Sequence, residues 1–266
     1  KFHHPTLCIK ARPMIVVLAL FSSAAVQAQT LAEVRSLLRA ERITEALALS
    51  DKRLAVDPHQ LEALVGKVEA LLRSTGDTKR LEAAIETAER CVQQHPNAAR
   101  CHNAVGDAVA TKALSAGMMT AMRSAGRIRD AYQKAVSLDA QLPDARFSLL
   151  QYYLQAPVLV GGGMDKAREL ADESAKLLPQ DGPLFQALVA LADKKWGEAE
   201  RLTLSVKANP DSDTTERQNG MLQGLGFGLL QDKKPAESQR VFALLQLRDP
   251  KSATAAFGSG RAAQEQ

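Results

Sequence analysis

The sequence predicts an all-α protein built as an α-solenoid, an array of stacked helical hairpins. A small residue followed about twelve positions later by proline recurs five times: Ala46 with Pro58, Ala84 with Pro96, Ala167 with Pro179, Ala199 with Pro210 and Ser238 with Pro250. A sixth unit lies between Pro96 and Pro179, with Asp139-Ala140 at its stop, so the stops fall at 58, 96, 140, 179, 210 and 250, in steps of 38, 44, 39, 31 and 40 residues. A period of that size marks stacked supersecondary units, each too small to bury its apolar face alone. Composition agrees, because hydrophobic residues are 45% and aromatics only 4% of the chain, and Ala, Leu, Glu, Lys, Arg and Gln fill the stretches between prolines. These are helix formers. The second half of the chain shows no strand-length alternation of apolar and polar residues.

The first 28 residues read as a secretory signal peptide. Lys1, Lys10 and Arg12 precede the apolar run Met14 to Phe21, which passes into a stretch with small residues at Val26 and Ala28, and cleavage is expected after Ala28. The run is too short to span a bilayer with ease; a retained anchor is the alternative. The chain has 34 basic and 30 acidic residues, a net charge of +4, and loss of the segment removes three basic and no acidic residues, leaving 31 against 30. Such a balance gives no electrostatic footprint for nucleic acid. The expected location is the periplasm.

Residues 29–251 divide into about six hairpins. In the first, helices over 31–40 and 43–56 are expected from the spacing of Leu31, Val34, Leu37 and Leu38 and of Ala46, Leu47 and Leu54. Asp57-Pro58 ends the second helix, since proline cannot extend the hydrogen-bond ladder. The second hairpin runs from Leu61 to about Arg73 and from about Leu81 to Gln94, and the third from about Arg100 to Ser115 and Ile128 to Leu138. Gly117 to Met122 is an insertion that lengthens the helices or adds a short one. The fourth has a first helix over 145–154, a break through Gln155 to Gly163, and a second helix from Lys166. The fifth covers 184–193 and 196–209; the sixth follows a linker over 211–217 and ends at Asp249-Pro250. Residues 252–266 are expected to form a short capping helix with a frayed tail, as terminal repeats need a polar outer face.

Several features invite chemistry. Gly161, Gly162 and Gly163 precede a helix and could present amides to a phosphate, but no strand precedes them and no Lys-Ser or Lys-Thr follows, so they read as a structural hinge. Met118, Met119 and Met122 suggest either soft copper ligands or adaptable core filler, and the spacing favours filler. Cys8 departs with the signal peptide, and Cys91 and Cys101 remain. A pair of cysteines in an exported chain reads as a disulfide, and the short turn at His95-Pro96-Asn97 can bring them within bridging distance. Free thiols are one alternative. A zinc site with His95 and His102 is another, though adjacent Cys101 and His102 point about 100° apart on a helix. No cofactor or metal is expected, and no nucleophile motif or acidic pair stands in a pocket-forming context.

Gly66 and Gly106 in first helices, with Trp196-Gly197-Glu198-Ala199 and Tyr132 through Asp139 in second helices, carry a family likeness: the chain resembles bacterial exported tetratricopeptide-repeat (TPR) proteins over residues 31–250. It departs from the pattern at Leu150, in place of a packing glycine, and at Ala140, in place of proline. The resemblance implies a right-handed superhelix whose first helices line a concave groove for an extended peptide or a partner helix. It places the residue after each packing position in the groove: Lys67 after Gly66, Asp107 after Gly106 and Gln151 after Leu150, with Asn103 one turn before Asp107. A solvated polar face is the alternative for all four. The array of Lys and Asn that clamps a C-terminal carboxylate in some members is not reproduced. The implied function is that of a non-enzymatic periplasmic adaptor that holds a protein or peptide partner. The alternatives are an accessory subunit peripherally associated with a membrane complex and, from another class, a metal-handling or hydrolytic protein.

Overall fold

A computed structural model describes residues 29–73, 77–207, 209 and 212–266; the expected signal peptide lies outside the described residues. The chain forms α1 (29–39), α2 (Ile43–Val56), α3 (Leu61–Leu72), α4 (Thr78–Gln94), α5 (Ala99–Ser115), α6 (Met118–Leu138) and α7 (Pro143–Gln155). After a 3-10 turn at Val158–Val160 come α8 (Met164–Leu177), α9 (Gly182–Ala192), α10 (Trp196–Ser205), α11 (Asp213–Gln231), α12 (Pro235–Arg248) and α13 (Ala253–Gln264). No strand occurs among the described residues. From α2 on, each helix packs on the next, and the first helices of successive hairpins stack, α3 on α5, α5 on α7, α7 on α9 and α9 on α11. The molecule is an α-solenoid.

The small residues of the repeat lie on the buried face of each second helix. Ala46, Ala84, Ala167, Ala199 and Ser238 are all buried, none more than 1% exposed. The stops are built from aspartate as much as from proline. The carboxylates of Asp57, Asp139 and Asp249 each accept the backbone N–H two residues on, at 3.0, 2.9 and 3.2 Å. This side-chain turn ends a helix without a proline ring, which is why Ala140 can stand in the third unit. There, buried Arg146 donates from Nε to the Ala140 carbonyl at 2.5 Å and from Nη1 to Ser174 Oγ at 3.1 Å, tying the turn to α8. The core is a string of clusters, such as Leu64 and Val65 near the start, the stacked rings of Phe147 and Phe185 in the middle, centroids 4.0 Å apart, and Leu225 with Phe242 near the end.

Several boundaries differ from expectation. Of the two expectations for Gly117 to Met122, the lengthened helix is the one found: residues 118–127 are the first half of the 21-residue α6, which starts after Gly117 with φ of 96° instead of at Ile128. Helix α10 stops at Ser205, and α11 begins at Asp213, inside the expected linker, because the Ser212 hydroxyl caps the Thr215 N–H at 3.1 Å. The tail forms a helix over Ala253–Gln264 that buries Ala255, Gly258 and Ala262, longer than the short cap expected. The glycines after the 3-10 turn occupy a backbone path that other residues resist: φ is 94° at Gly161 and 136° at Gly163, and a Cβ on Gly162 would lie 1.8 Å from the Ala156 carbonyl oxygen. The Gly163 N–H donates to the Tyr153 carbonyl at 2.8 Å.

Cys91 and Cys101 are joined by a disulfide with Cα atoms 5.3 Å apart, and both are fully buried. The neighbouring imidazoles lie against backbone carbonyls: Nε2 of His95 is 2.7 Å from the His59 carbonyl oxygen, and Nε2 of His102 is 2.8 Å from that of Pro96. Among the described residues no helix is long and apolar enough to cross a membrane.

Candidate binding cavity on the concave face

The first helices α1, α3, α5, α7 and α11 surround an open cavity of about 800 Å³, with the early turns of α6 and residues 156–160 forming one wall. That volume lies within the range of ligand pockets. The α6 wall is apolar, with Met118, Met122 and Ile128, and Leu114 and Met118 stand exposed at the rim. Phe147 and Tyr152 of α7 face it.

The opposite wall is a lattice of ion pairs. Arg35 of α1 donates from Nε to Glu69 at 3.0 Å, from Nη2 to Asp144 at 2.9 Å and from Nη1 to Asp213 at 2.5 Å, so one guanidinium joins α1 to α3, α7 and α11. Arg39 reaches Asp213 at 2.9 Å. Arg73 pairs with Glu216, and Arg217 with Asp144. Although burial opposes its charge, the carboxylates of Glu69, Asp144 and Asp213 raise the Arg35 pKa. Burial also pushes Glu69 upward, and its hydrogen bond to Arg35 only partly offsets that. Asp144, buried but held between Arg35 and Arg217, is lowered.

Asp107 stands apart from this lattice at the junction of α5, α6 and α7. Its Oδ1 accepts from Tyr132 at 2.9 Å and Ser148 at 3.2 Å, and its Oδ2 accepts from Asn103 Nδ2 at 2.8 Å. It forms no ion pair with another described residue. Burial, with Glu69 and Asp144 nearby, drives its pKa from 3.8 to about 7 against the pull of the Tyr132 and Ser148 hydrogen bonds. Gly106 makes the arrangement possible: a Cβ there would lie 2.3 Å from the Tyr132 ring, so only a bare Cα lets the ring come down beside Asp107.

Of the four expected groove residues, Asn103, Asp107 and Gln151 line this cavity together. Lys67 does not. Its ammonium pairs with Asp51 of α2 at 2.7 Å. The reason is register. Gly106 and Leu150 are the eighth residues of α5 and α7, whereas Gly66 is the sixth of α3, where it packs against Val34. The eighth residue of α3 is Val68, and the residue after it, Glu69, lines the cavity. The sequence held this signal: Gly106, Leu150 and Val68 each lie ten residues after a stop, at 96, 140 and 58. Arg35, Asp144, Asp213 and Arg217 escaped sequence reading because their meeting depends on how far the whole array curves.

No protein-family model matches the chain, and no curated protein matches it. Among solved structures it is similar to TTC0263, a thermophilic TPR protein of Thermus thermophilus, at 14% identity and a TM-score of 0.54 over 90% of this chain and 99% of that one. A tetratricopeptide repeat protein of Parabacteroides merdae aligns over 90% of this chain and 93% of its own at 10% identity and a TM-score of 0.47. YrrB, a TPR protein with an unusual peptide-binding site, aligns over 79% and 97% at 10% identity and a TM-score of 0.39. The likeness to the Thermus protein is one of fold.

Proposed function

We propose that this chain, which has the fold of TPR proteins, is an exported, non-catalytic scaffold that seats a polypeptide partner in its concave cavity. The observation that carries the reading is the cavity itself, about 800 Å³, open to solvent, apolar on the α6 side and polar on the other. A groove with both characters suits the side chains of an extended or helical segment. The exposed thioether of Met118 and the neighbouring Met122 give the apolar wall an adaptable surface. Export is supported by the basic-flanked apolar run before residue 29 and by the paired cysteines, since disulfides persist in oxidising compartments. A carboxylate clamp is disfavoured by the site's chemistry: Arg35, Arg73 and Arg217 all pair with carboxylates already.

Selection of displayed peptides on the purified chain tests this. Peptides should be recovered whose binding is abolished by Gln151→Trp, inside the cavity, and preserved by Arg90→Trp on the outer helix α4. Failure to recover any binder, or binders indifferent to Gln151→Trp, would overturn the reading.

A further inference from the structure

The charges lining the cavity do not balance. Five carboxylates, Glu69, Asp107, Asp144, Asp213 and Glu216, face three guanidiniums, Arg35, Arg73 and Arg217. Four of the five acids are consumed by arginine: Glu69, Asp144 and Asp213 by Arg35, and Glu216 by Arg73. An incoming anion therefore finds no unpaired cation among the three arginines of the lining, whereas an incoming cation finds Asp107, whose partners are all neutral donors.

Hydrogen-bond capacity points the same way. A carboxylate offers about four acceptor sites, and Asp107 uses three, on Tyr132, Ser148 and Asn103. Asn103 is only 8% exposed, lines the cavity, and spends its amide N–H on Asp107 while its Oδ1 is buried with no partner. A buried polar oxygen without a donor is costly. The floor thus holds spare acceptors side by side and lacks a donor to fill them.

We infer that the partner's anchor is a basic side chain, lysine or arginine, within an apolar stretch, its cationic head seated against Asp107 and Asn103 and its neighbours packed on Met118, Met122 and Ile128. This rests on the cavity being the partner site. A lysine ammonium carries three donors and no acceptor, matching a floor of acceptors, and its methylene stem lies along apolar surface while the head reaches the polar group. Burial raises the Asp107 pKa to about 7, so the carboxylate is ionised and open to a cation above that pH, with Glu69 of α3, Tyr132 of α6 and Asp144 of α7 as the titratable neighbours that face it.

Calorimetry on the full chain with short acetylated, amidated peptides of alanine, leucine and glutamine, identical except for a central Lys, norleucine or Glu, reads the inference directly. The Lys peptide should bind roughly ten- to a hundredfold more tightly than the norleucine peptide, as expected for a charge-assisted hydrogen bond, and the Glu peptide more weakly still. Asp107→Asn should erase the Lys preference; the comparison on the native chain holds even if that variant folds poorly. Equal binding of all three peptides, with loss of binding in Gln151→Trp still evident, overturns the basic anchor and leaves the cavity as partner site. Absence of any peptide binding overturns both. If n-hexylamine alone binds as tightly as the Lys peptide, the occupant is a small amine, and the assignment to a polypeptide fails.

Discussion

Arg39 of α1 and Asp213 of α11, 174 residues apart in sequence, are joined by a hydrogen-bonded ion pair of 2.9 Å. Arg35 lands on the same carboxylate at 2.5 Å. The two ends of the array therefore meet across its concave face, and what would be an open groove in a straighter stack becomes a walled cavity. Among the described residues the hydrogen bonds from α1 to α11 run between side chains, so the curvature of the repeats and the ion pairs must agree.

Asp213→Asn removes the acceptor shared by both arginines. These groups are partly exposed, with side-chain exposures of 17% for Arg35 and 38% for Asp213, so the expected stability loss is about 1–2 kcal/mol and not the full cost of an orphaned buried charge. Spin labels on the outer surfaces of α1 and α11 should report a longer and broader distance distribution in the variant than in the native chain.

Gly106→Ala places a methyl 2.3 Å from the Tyr132 ring. The ring must move, and with it the 2.9 Å hydrogen bond to Asp107. Overpacking of this kind costs about 1–3 kcal/mol, measured by denaturant unfolding, and peptide binding should weaken with it. Gly126→Ala, whose added Cβ meets nothing within 4 Å, is the control and should leave stability unchanged or slightly raised.

Asp107 sets a pH dependence of stability. Its folded pKa of about 7 lies above the ordinary 3.8, so the native state holds a proton that the unfolded chain has lost between those values. Its contribution is fully present below about pH 4, falls as pH rises toward about 7, and is flat above that. Asp107→Asn should remove this slope in thermal unfolding curves. Asp144 acts in the opposite sense: its pKa is lowered, so its contribution is lost as pH falls through the acid range.

Replacing Cys91 and Cys101 with serine opens a bridge with a sequence separation of 10. The chain-entropy estimate is a loss of about 2–3 kcal/mol, and two buried hydroxyls add to it. Chemical denaturation with and without reductant should show the chain-entropy loss of about 2–3 kcal/mol alone in the native chain and no difference in the double variant.

The repeat was legible because its physical cause is local. A close helix crossing demands a small residue at Ala46, Ala84 or Ala167, all fully buried, and a stop follows one helix length later. Asp139 shows why proline was a good but incomplete marker, since its carboxylate closes the turn with Ala140 in the proline position. Half-legible were the groove positions: Asp107 and Gln151 followed from packing residues in register, whereas Gly66 packs against Val34 and carried Lys67 to the wrong face. The Arg35 lattice was not legible at all. It depends on small rotations accumulated over successive hairpins, which no single unit's sequence records.

The most direct test places a photo-crosslinking amino acid at Gln151, an exposed position in the cavity wall, and at Arg90 on the outer helix α4, in the full chain mixed with a selected peptide ligand. Adducts should form from position 151 and map to peptide residues beside the basic one, with none from position 90. Crosslinking from position 90 alone, or equally from both, would contradict a partner held in the concave cavity.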